Sequence, residues 1–450
     1  MKHNPRLLAA AVTLALTACN VEDMPETMQA QGAGQGIDLP DHGANAVADW
    51  HTIGRITISP AGVPGAPTPS ERVPTYELDM AALNLAIYDA LALITRRYQS
   101  FTPGVTDIAT VPADSPATQQ YAVHGAGCTV LAGLFPSRGG LAGGYGTKCT
   151  TVLQAAGASE SDAFNFGKAV AERVLTWRAN DGRETPKLPF SNIPITQISQ
   201  FRSLNPNPAV NPVGYSRQDV RPFSLSSSSQ FRADGPPALT SAEYTANLDE
   251  VRALGRADST VRTEAQTQNA RFHTMAPPLF WMSNLQQFST SQPTLMEDAR
   301  LMAALWIAQA DATTACFESK YYYNSWRPVT AINLGDPFGH AADPSWQPVV
   351  PTPNHPEYPA AHACNTGAVV EVLDQIFGTR KLRFTFTTNV ASVAPAYAQQ
   401  SYKSTDEFVN TVQEARIAGG MHFRTSTVHG DVMGMKVSKQ LLREHFQRVR

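Results

Sequence analysis

Three short blocks decide how this chain reads: Lys320-Tyr-Tyr-Tyr-Asn-Ser-Trp-Arg327-Pro328, His355-Pro-Glu-Tyr-Pro359-Ala360-Ala361-His362, and Arg416-Ile-Ala-Gly-Gly-Met-His422-Phe-Arg424. Each falls at an expected helix boundary. Lys320 stands at a helix end, and Pro328 fixes Arg327 seven residues on. Pro359 sits where a helix over Ala363 to Gly378 begins, because proline favours the first turn. The N–H groups of a first turn lack intrahelical partners and point outward, which makes an anion site. His362 lies in that turn. Arg416 occupies the last turns of a helix over Glu407 to Gly420. Gly419-Gly420 ends it, so His422 can turn back toward whatever Arg416 contacts. Tyr321 to Tyr323 and Trp326 suggest a packed wall, and buried cations beside it need an anion. Lys320, Arg327 and Arg416 offer about three positive charges, and each Arg can bind two oxygens at once. The set suits a tetrahedral oxyanion with acid–base chemistry at its oxygens. Arg424 is a further anion ligand or a surface charge.

The rest of the chain reads as the frame. Helical spacing of apolar residues predicts helices over Pro74 to Ser100, Thr118 to Leu134, Ser159 to Ala179 (with Ser159 as cap), Ser241 to Leu254 and Leu295 to Phe317. Strand-like alternation is rare, with Leu382 to Thr388 the best case. The expected fold is mainly α, built from packed helical bundles, with the anion site in the C-terminal bundle. Residues 48–185 form an N-terminal helical half and 186–237 a long connection or lid. Residues 238–450 form the C-terminal bundle.

A length of 450 residues with 42% hydrophobic and 16% charged residues argues for a folded globular protein. The formal net charge of -3 argues against non-specific nucleic-acid binding. Lys2 and Arg6 precede the apolar run Leu7 to Ala18, which is too short to span a bilayer as a helix. Leu16-Thr17-Ala18-Cys19 resembles the lipobox of bacterial lipoproteins. The resemblance implies cleavage before Cys19 and a lipid anchor on its thiol, with residues 19–47 as a flexible tether. The expected location is an exported, membrane-anchored one, periplasmic or at the cell surface. Asn20 is not the aspartate tied to inner-membrane retention, which favours an outer membrane. In an oxidising compartment Cys128, Cys149, Cys316 and Cys364 allow three disulfide pairings. Sequence proximity favours Cys128 with Cys149 and Cys316 with Cys364, beside the alternative of free buried thiols.

The spacing Lys-x6-Arg-Pro, Pro-x-x-His, Arg-x5-His resembles the signature of the vanadium-dependent haloperoxidases, which share an active-site architecture with type 2 phosphatidic acid phosphatases and bacterial acid phosphatases. The three blocks lie in roughly the last third of the chain. The resemblance implies that Lys320, Arg327, Arg416 and the Ala361 backbone N–H hold the oxygens of vanadate. It makes His422 the ligand to vanadium and His362 the acid–base residue opposite. Hydrogen peroxide would oxidise halide there, with Lys320 polarising the peroxide. His355, seven residues before His362, matches the histidine of the family's bromoperoxidases and favours bromide or iodide; otherwise it is a plain loop histidine. Phosphate can take the same place. The alternative activity is then an acid phosphatase, in which His422 attacks the phosphorus of a phosphate ester and His362 protonates the leaving alcohol.

Three positions depart from the family pattern. Ala360 replaces a serine, which removes a hydroxyl donor and about 1–3 kcal/mol of anion binding. Ser426 stands where many members carry an aspartate that orients the second histidine; Asp431 or another carboxylate has to substitute. Ala415 replaces a serine before Arg416. These changes support a third reading, a non-catalytic phosphate- or vanadate-binding lipoprotein. A zinc site from His355, Glu357, His362 and His422 is a fourth, opposed by repulsion from the three cations.

Overall fold

In the computed structural model the described residues are 36–59, 75–108, 110–185, 187, 189–205, 207 and 210–450. The apolar run at Leu7, Cys19 and Asn20 lie outside them. Thirteen α-helices are found among the described residues. The N-terminal half carries α1 (Ala46–Ile58), α2 (Tyr76–Thr95), α3 (Pro116–Leu134), α4 (Tyr145–Ala155) and α5 (Ala158–Arg178). After the long connection come α6 (Ala242–Leu254), α7 (Glu264–Phe272), α8 (Pro277–Asn284) and α9 (Leu295–Tyr323). The site region holds α10 (Pro328–Leu334), α11 (Ala361–Phe377), α12 (Thr405–Ala418) and α13 (Arg424–Glu444). The mainly α expectation is met.

The long α9 is the axis. Every residue from Ala303 to Lys320 is buried, so it is enclosed on all sides rather than along one stripe. It outruns the predicted end at Phe317 by six residues; Tyr321 still packs on the core, whereas Tyr322 is exposed. Asn324 then stops it in the left-handed region (φ 47°), its N–H returning to Lys320 O. α2, α11 and α13 each pack on α9. α2 is long and apolar enough to cross a membrane by composition, yet its residues from Glu77 to Ala92 are all buried in the protein. The described residues begin at Gly36, inside the stretch read as a tether. There Ile37–Asp38 (β1) pairs in parallel with Leu382–Thr387 (β2).

β2 pairs antiparallel with β3 (Gln399–Tyr402), giving the order β1-β2-β3. Its alternation is borne out: Leu382, Phe384 and Phe386 point into the core against Phe408 and Trp281. α5 starts without the predicted cap. Gly157 takes the N-cap position, and the Ser159 hydroxyl bonds Glu160 instead.

α11 and α13 approach to backbone contact. A Cβ on Gly434 would fall on Cys364 O, and one on Gly367 would fall on Asp431 O. Only glycine permits this spacing, which sets α11 beside the start of α13. Both proximity-favoured cysteine pairs are disulfides, with Cα–Cα distances of 5.8 Å (Cys128–Cys149) and 6.4 Å (Cys316–Cys364). The second ties α9 to α11, one turn before Lys320 and just after His362. The long connection runs over the body: Phe223 N–H and Ser224 N–H donate to the buried Asp311, and Trp326 N–H donates to Ser199 O.

Candidate active site

Lys320, Arg327 and Arg416 come together in the interior, with 0%, 0% and 1% of their surfaces exposed. Lys320, in the last turn of α9, donates to Pro356 O and Glu357 O at 2.9 Å each. Arg327 is the N-cap residue of α10, with Pro328 in its first turn. Its Nε donates to His355 O (2.8 Å) and its Nη1 to Met421 O (3.0 Å). Arg416, at the end of α12, donates from Nη1 to His273 O (2.5 Å) and rests Nη2 on Met421 Sδ. Its Nε is buried with no hydrogen-bond partner among the described residues. Burial pulls Lys320 well below the ordinary lysine range, and Arg327 adds to this. Burial also draws Arg327 down to about 10 and Arg416 to about 9.

The carboxylate of this cluster is Glu357, itself 1% exposed. Burial pushes it up to about 7, against the opposing pull of Lys320 and Arg327. Its Oε1 lies 2.8 Å from His422 Nδ1 and accepts Phe423 N–H at 3.1 Å. An acceptor at Nδ1 fixes the tautomer: Nδ1 carries the proton and Nε2 a lone pair. That Nε2 faces Arg327 Nη1 at 3.1 Å. Burial, then Arg327, Lys320 and Arg416, hold His422 well below the ordinary histidine range, so the ring is neutral.

His362 sits in the first turn of α11 and is the one partly exposed member of the predicted set. Its Nε2 donates to Met275 O (3.0 Å), leaving Nδ1 as the basic nitrogen. Burial and then Arg416 depress its pKa well below the ordinary value. Ala360 occupies the N-cap position of α11 and gives no side-chain cap, so the first-turn N–H groups around Ala361 have no capping acceptor. Pro359 lies just before the helix rather than inside its first turn, after a cis Tyr358–Pro359 bond. His355 is buried with Phe317 packed on its ring; its Nδ1 can donate to Pro356 O (3.1 Å), which leaves Nε2 to accept Arg327 Nη2–H (3.3 Å). It therefore orients Arg327.

The structure thus gathers Lys320, Arg327, His355, Ala361, His362, Arg416 and His422 in one region. Arg424 is not part of it: its guanidinium pairs with Glu250 and Glu414 at the surface. Asp431 does not serve His422; its carboxyl lies along the α11–α13 seam, with Arg380, Asp406 and Glu371 as its charged neighbours. Sequence reading missed Glu357 as the partner of His422, and it missed the supports His273, Met275 and Met421. Among the described residues no three His, Cys, Asp or Glu side chains converge as metal ligands, so the zinc reading has no ligand set.

Residues 300–450 match the VCPO second helical-bundle domain. The described fold superimposes on the structure described as the first bacterial vanadium-dependent iodoperoxidase with a TM-score of 0.69, at 23% identity, over 90% of this chain and 96% of that one. The fold is that of the vanadium haloperoxidases. A holo-type bacterial vanadium-dependent chloroperoxidase gives a TM-score of 0.64 at 16% identity, over 90% of this chain and 97% of that one. In sequence, the vanadium chloroperoxidase of Curvularia inaequalis is 26% identical over 420 residues, covering 76% of this chain and 68% of that protein. The C-terminal match and these relatives together support the vanadium haloperoxidase family.

Proposed function

We propose that the protein is a vanadium-dependent haloperoxidase that oxidises bromide or iodide with hydrogen peroxide. The observation that carries this reading is the tautomer of His422. Glu357 holds the Nδ1 proton, so a neutral nitrogen lone pair stands at Arg327 inside a buried cluster of three cations. Among the described residues one carboxyl stands against three cations, so the cluster is short of negative charge, and Arg416 Nε lacks an acceptor. A vanadate fits that deficit: Lys320, Arg327, Arg416 and the Ala361 N–H would hold its oxygens, and His422 Nε2 its vanadium. When bound, vanadate supplies a Lewis-acidic centre that activates peroxide toward halide.

The chain's own residues do the rest. Lys320 is fixed by two carbonyls and directs its charge into the site. His362 exchanges protons at Nδ1. His355, through Arg327, sets the geometry that selects bromide or iodide. Peroxide-dependent bromination and iodination that require added orthovanadate, and that vanish in His422→Ala, are the expected result. The same His422 lone pair is equally the nucleophile of an acid phosphatase. Hydrolysis of a phosphate monoester that vanadate inhibits, without halogenation, would replace the first reading by that one. Binding of vanadate with neither activity would leave an oxyanion-binding protein.

We infer also that the protein is an exported lipoprotein anchored through Cys19. Mass spectrometry of the membrane-extracted chain should find a lipid-modified cysteine at its N-terminus; an unmodified N-terminus elsewhere would overturn the anchor.

A further inference from the structure

Beyond the His422–Glu357 pair lies a cavity of about 300 Å³ that the chemistry above does not use. None of Lys320, Arg327, His355, His362, Arg416 and His422 lines it. Its walls are Tyr244, Tyr323, Trp326, Tyr358 and Phe423, and its floor is Glu357 with Ser426. Of the residues gathered around the three cations, Glu357 also lines it, and Ser426 reaches toward His422 at 3.5 Å from its Nδ1.

The lining decides what it can hold. Among the described residues that line it there is no lysine, arginine or histidine. An anion entering it would lose its hydration without gaining a counter-charge. Five aromatic walls favour a flat ring, by stacked or edge-on contact. The hydroxyls of Ser199 and Ser325, which also line it, make no hydrogen bond to other described residues, so they are available to a ligand. With the Glu357 carboxyl they favour an occupant bearing its own O–H or N–H.

The cavity is also preformed. Its outer side is the strap Pro236-Pro237-Ala238-Leu239. Tyr323 donates its hydroxyl to Ala233 O (2.5 Å), and Gly235 N–H donates to Tyr358 Oη (3.1 Å). Gly235 makes the turn at φ 108°, where a Cβ would meet the Tyr323 ring at 3.1 Å. Two prolines then fix the strap. A volume of about 300 Å³ lies at the small end of ligand pockets, which run from roughly 300 to 1,000 Å³.

We propose that this cavity binds a small uncharged aromatic molecule carrying a hydroxyl, its ring between Tyr244, Trp326 and Phe423 and its hydroxyl on the Glu357–Ser426 floor. The site stands whether the neighbouring centre oxidises halide or cleaves phosphate esters.

The test is calorimetric titration of the full chain with phenol, benzoate and cyclohexanol, in buffer containing saturating phosphate to fill the oxyanion site. Phenol should bind with one-to-one stoichiometry, about tenfold or more tighter than benzoate or cyclohexanol. Ala238→Trp and Leu239→Trp place a ring in the cavity from its rim, away from the residues of the oxyanion site. At least one of them should weaken phenol about tenfold while phosphate affinity holds. No saturable phenol binding, equal binding of benzoate, unchanged binding in both variants, or displacement of phenol by phosphate would each overturn the proposal. Loss of halogenation activity alone would bear on the function proposed above and not on this cavity.

Discussion

Glu357→Gln separates two ways of holding an oxyanion. The carboxylate bonds His422 Nδ1 at 2.8 Å, with both side chains 1% exposed. Gln can still offer an oxygen to Nδ1–H and to Phe423 N–H, so the ring should keep its place. What is lost is the charge assistance, which makes such a bond roughly twice as strong as a neutral one. A vanadium bound at Nε2 feels this directly, because a carboxylate partner raises the basicity of the ligating nitrogen. Removing partners of this kind costs about 10–100-fold in metal affinity, or about 1.4–2.7 kcal/mol. Phosphate, held by the cations without a bond to His422, loses nothing by this route. Taking a negative charge from beside Lys320 and Arg327 strengthens its binding if it changes it at all. Vanadate and phosphate affinities should therefore diverge in Glu357→Gln: vanadate weaker by about 10–100-fold, phosphate unchanged or tighter. Calorimetric titration of both anions into parent and variant reads this. Equal weakening of the two, or no change in vanadate, refutes the reasoning. A Glu357→Ala/Ser426→Asp double variant, which returns a carboxylate four residues after His422, should recover vanadate affinity relative to Glu357→Ala.

Three further outcomes are expected. Ala360→Ser adds a capping hydroxyl at the start of α11, where none exists; it should raise stability by about 1 kcal/mol in a denaturant titration and tighten vanadate binding by about 1–3 kcal/mol. Gly434→Ala puts a methyl on Cys364 O and must push α13 from α11; it should cost about 1–3 kcal/mol, read as a lower denaturation midpoint, with weaker vanadate binding because His422 leads into α13. His124 accepts Trp50 Nε1–H at Nδ1 (3.0 Å), and burial holds its pKa down at about 4. Its neutral form therefore contributes stability above about pH 6.5 that is lost as pH falls through 4, at most about 3 kcal/mol. In His124→Gln, which keeps an acceptor, unfolding titrations should show roughly 2 kcal/mol less loss between pH 7 and pH 4.5.

The sequence disclosed the site where the chemistry needs particular side chains at particular helix boundaries. Lys320 closes α9, Arg327 opens α10, His362 opens α11 and Arg416 closes α12. Such boundaries are marked by Pro, Gly and short loops, so their order along the chain is visible. The supports were not. Met275, His273 and Met421 act through a main-chain oxygen or a soft sulfur, which any residue with the right loop path could supply. α13 was missed as a helix: its buried positions include Gly430, Gly434 and Ser438, small residues that pack closely without an apolar stripe. The cap of α5 was misassigned because Gly157 and Ser159 are both acceptable cap residues, and only the backbone path chooses between them.

Glu357 shows why a missing residue need not mean a missing function. A histidine that presents Nε2 to an electrophile needs an acceptor at Nδ1, and that need is fixed in space rather than in chain position. On α13 the position one turn after His422 carries Ser426, whose hydroxyl is 3.5 Å from Nδ1, too far to hold the proton well. The loop before α11 meets the same need from the other side. Lys320 grips the carbonyls of Pro356 and Glu357, and the Phe423 N–H takes the Glu357 carboxylate, so backbone and side chain are both clamped. The two substitutions are thereby linked. With the carboxylate on the loop, Ser426 is free to line the aromatic cavity, and the same Glu357 forms the floor that the cavity shares with the oxyanion site. Moving the carboxylate back to position 426 would serve His422 equally well but would take the acceptor from one face of that floor to another. Phenol binding and vanadate binding should therefore separate in Glu357→Ala/Ser426→Asp, the second recovering while the first does not.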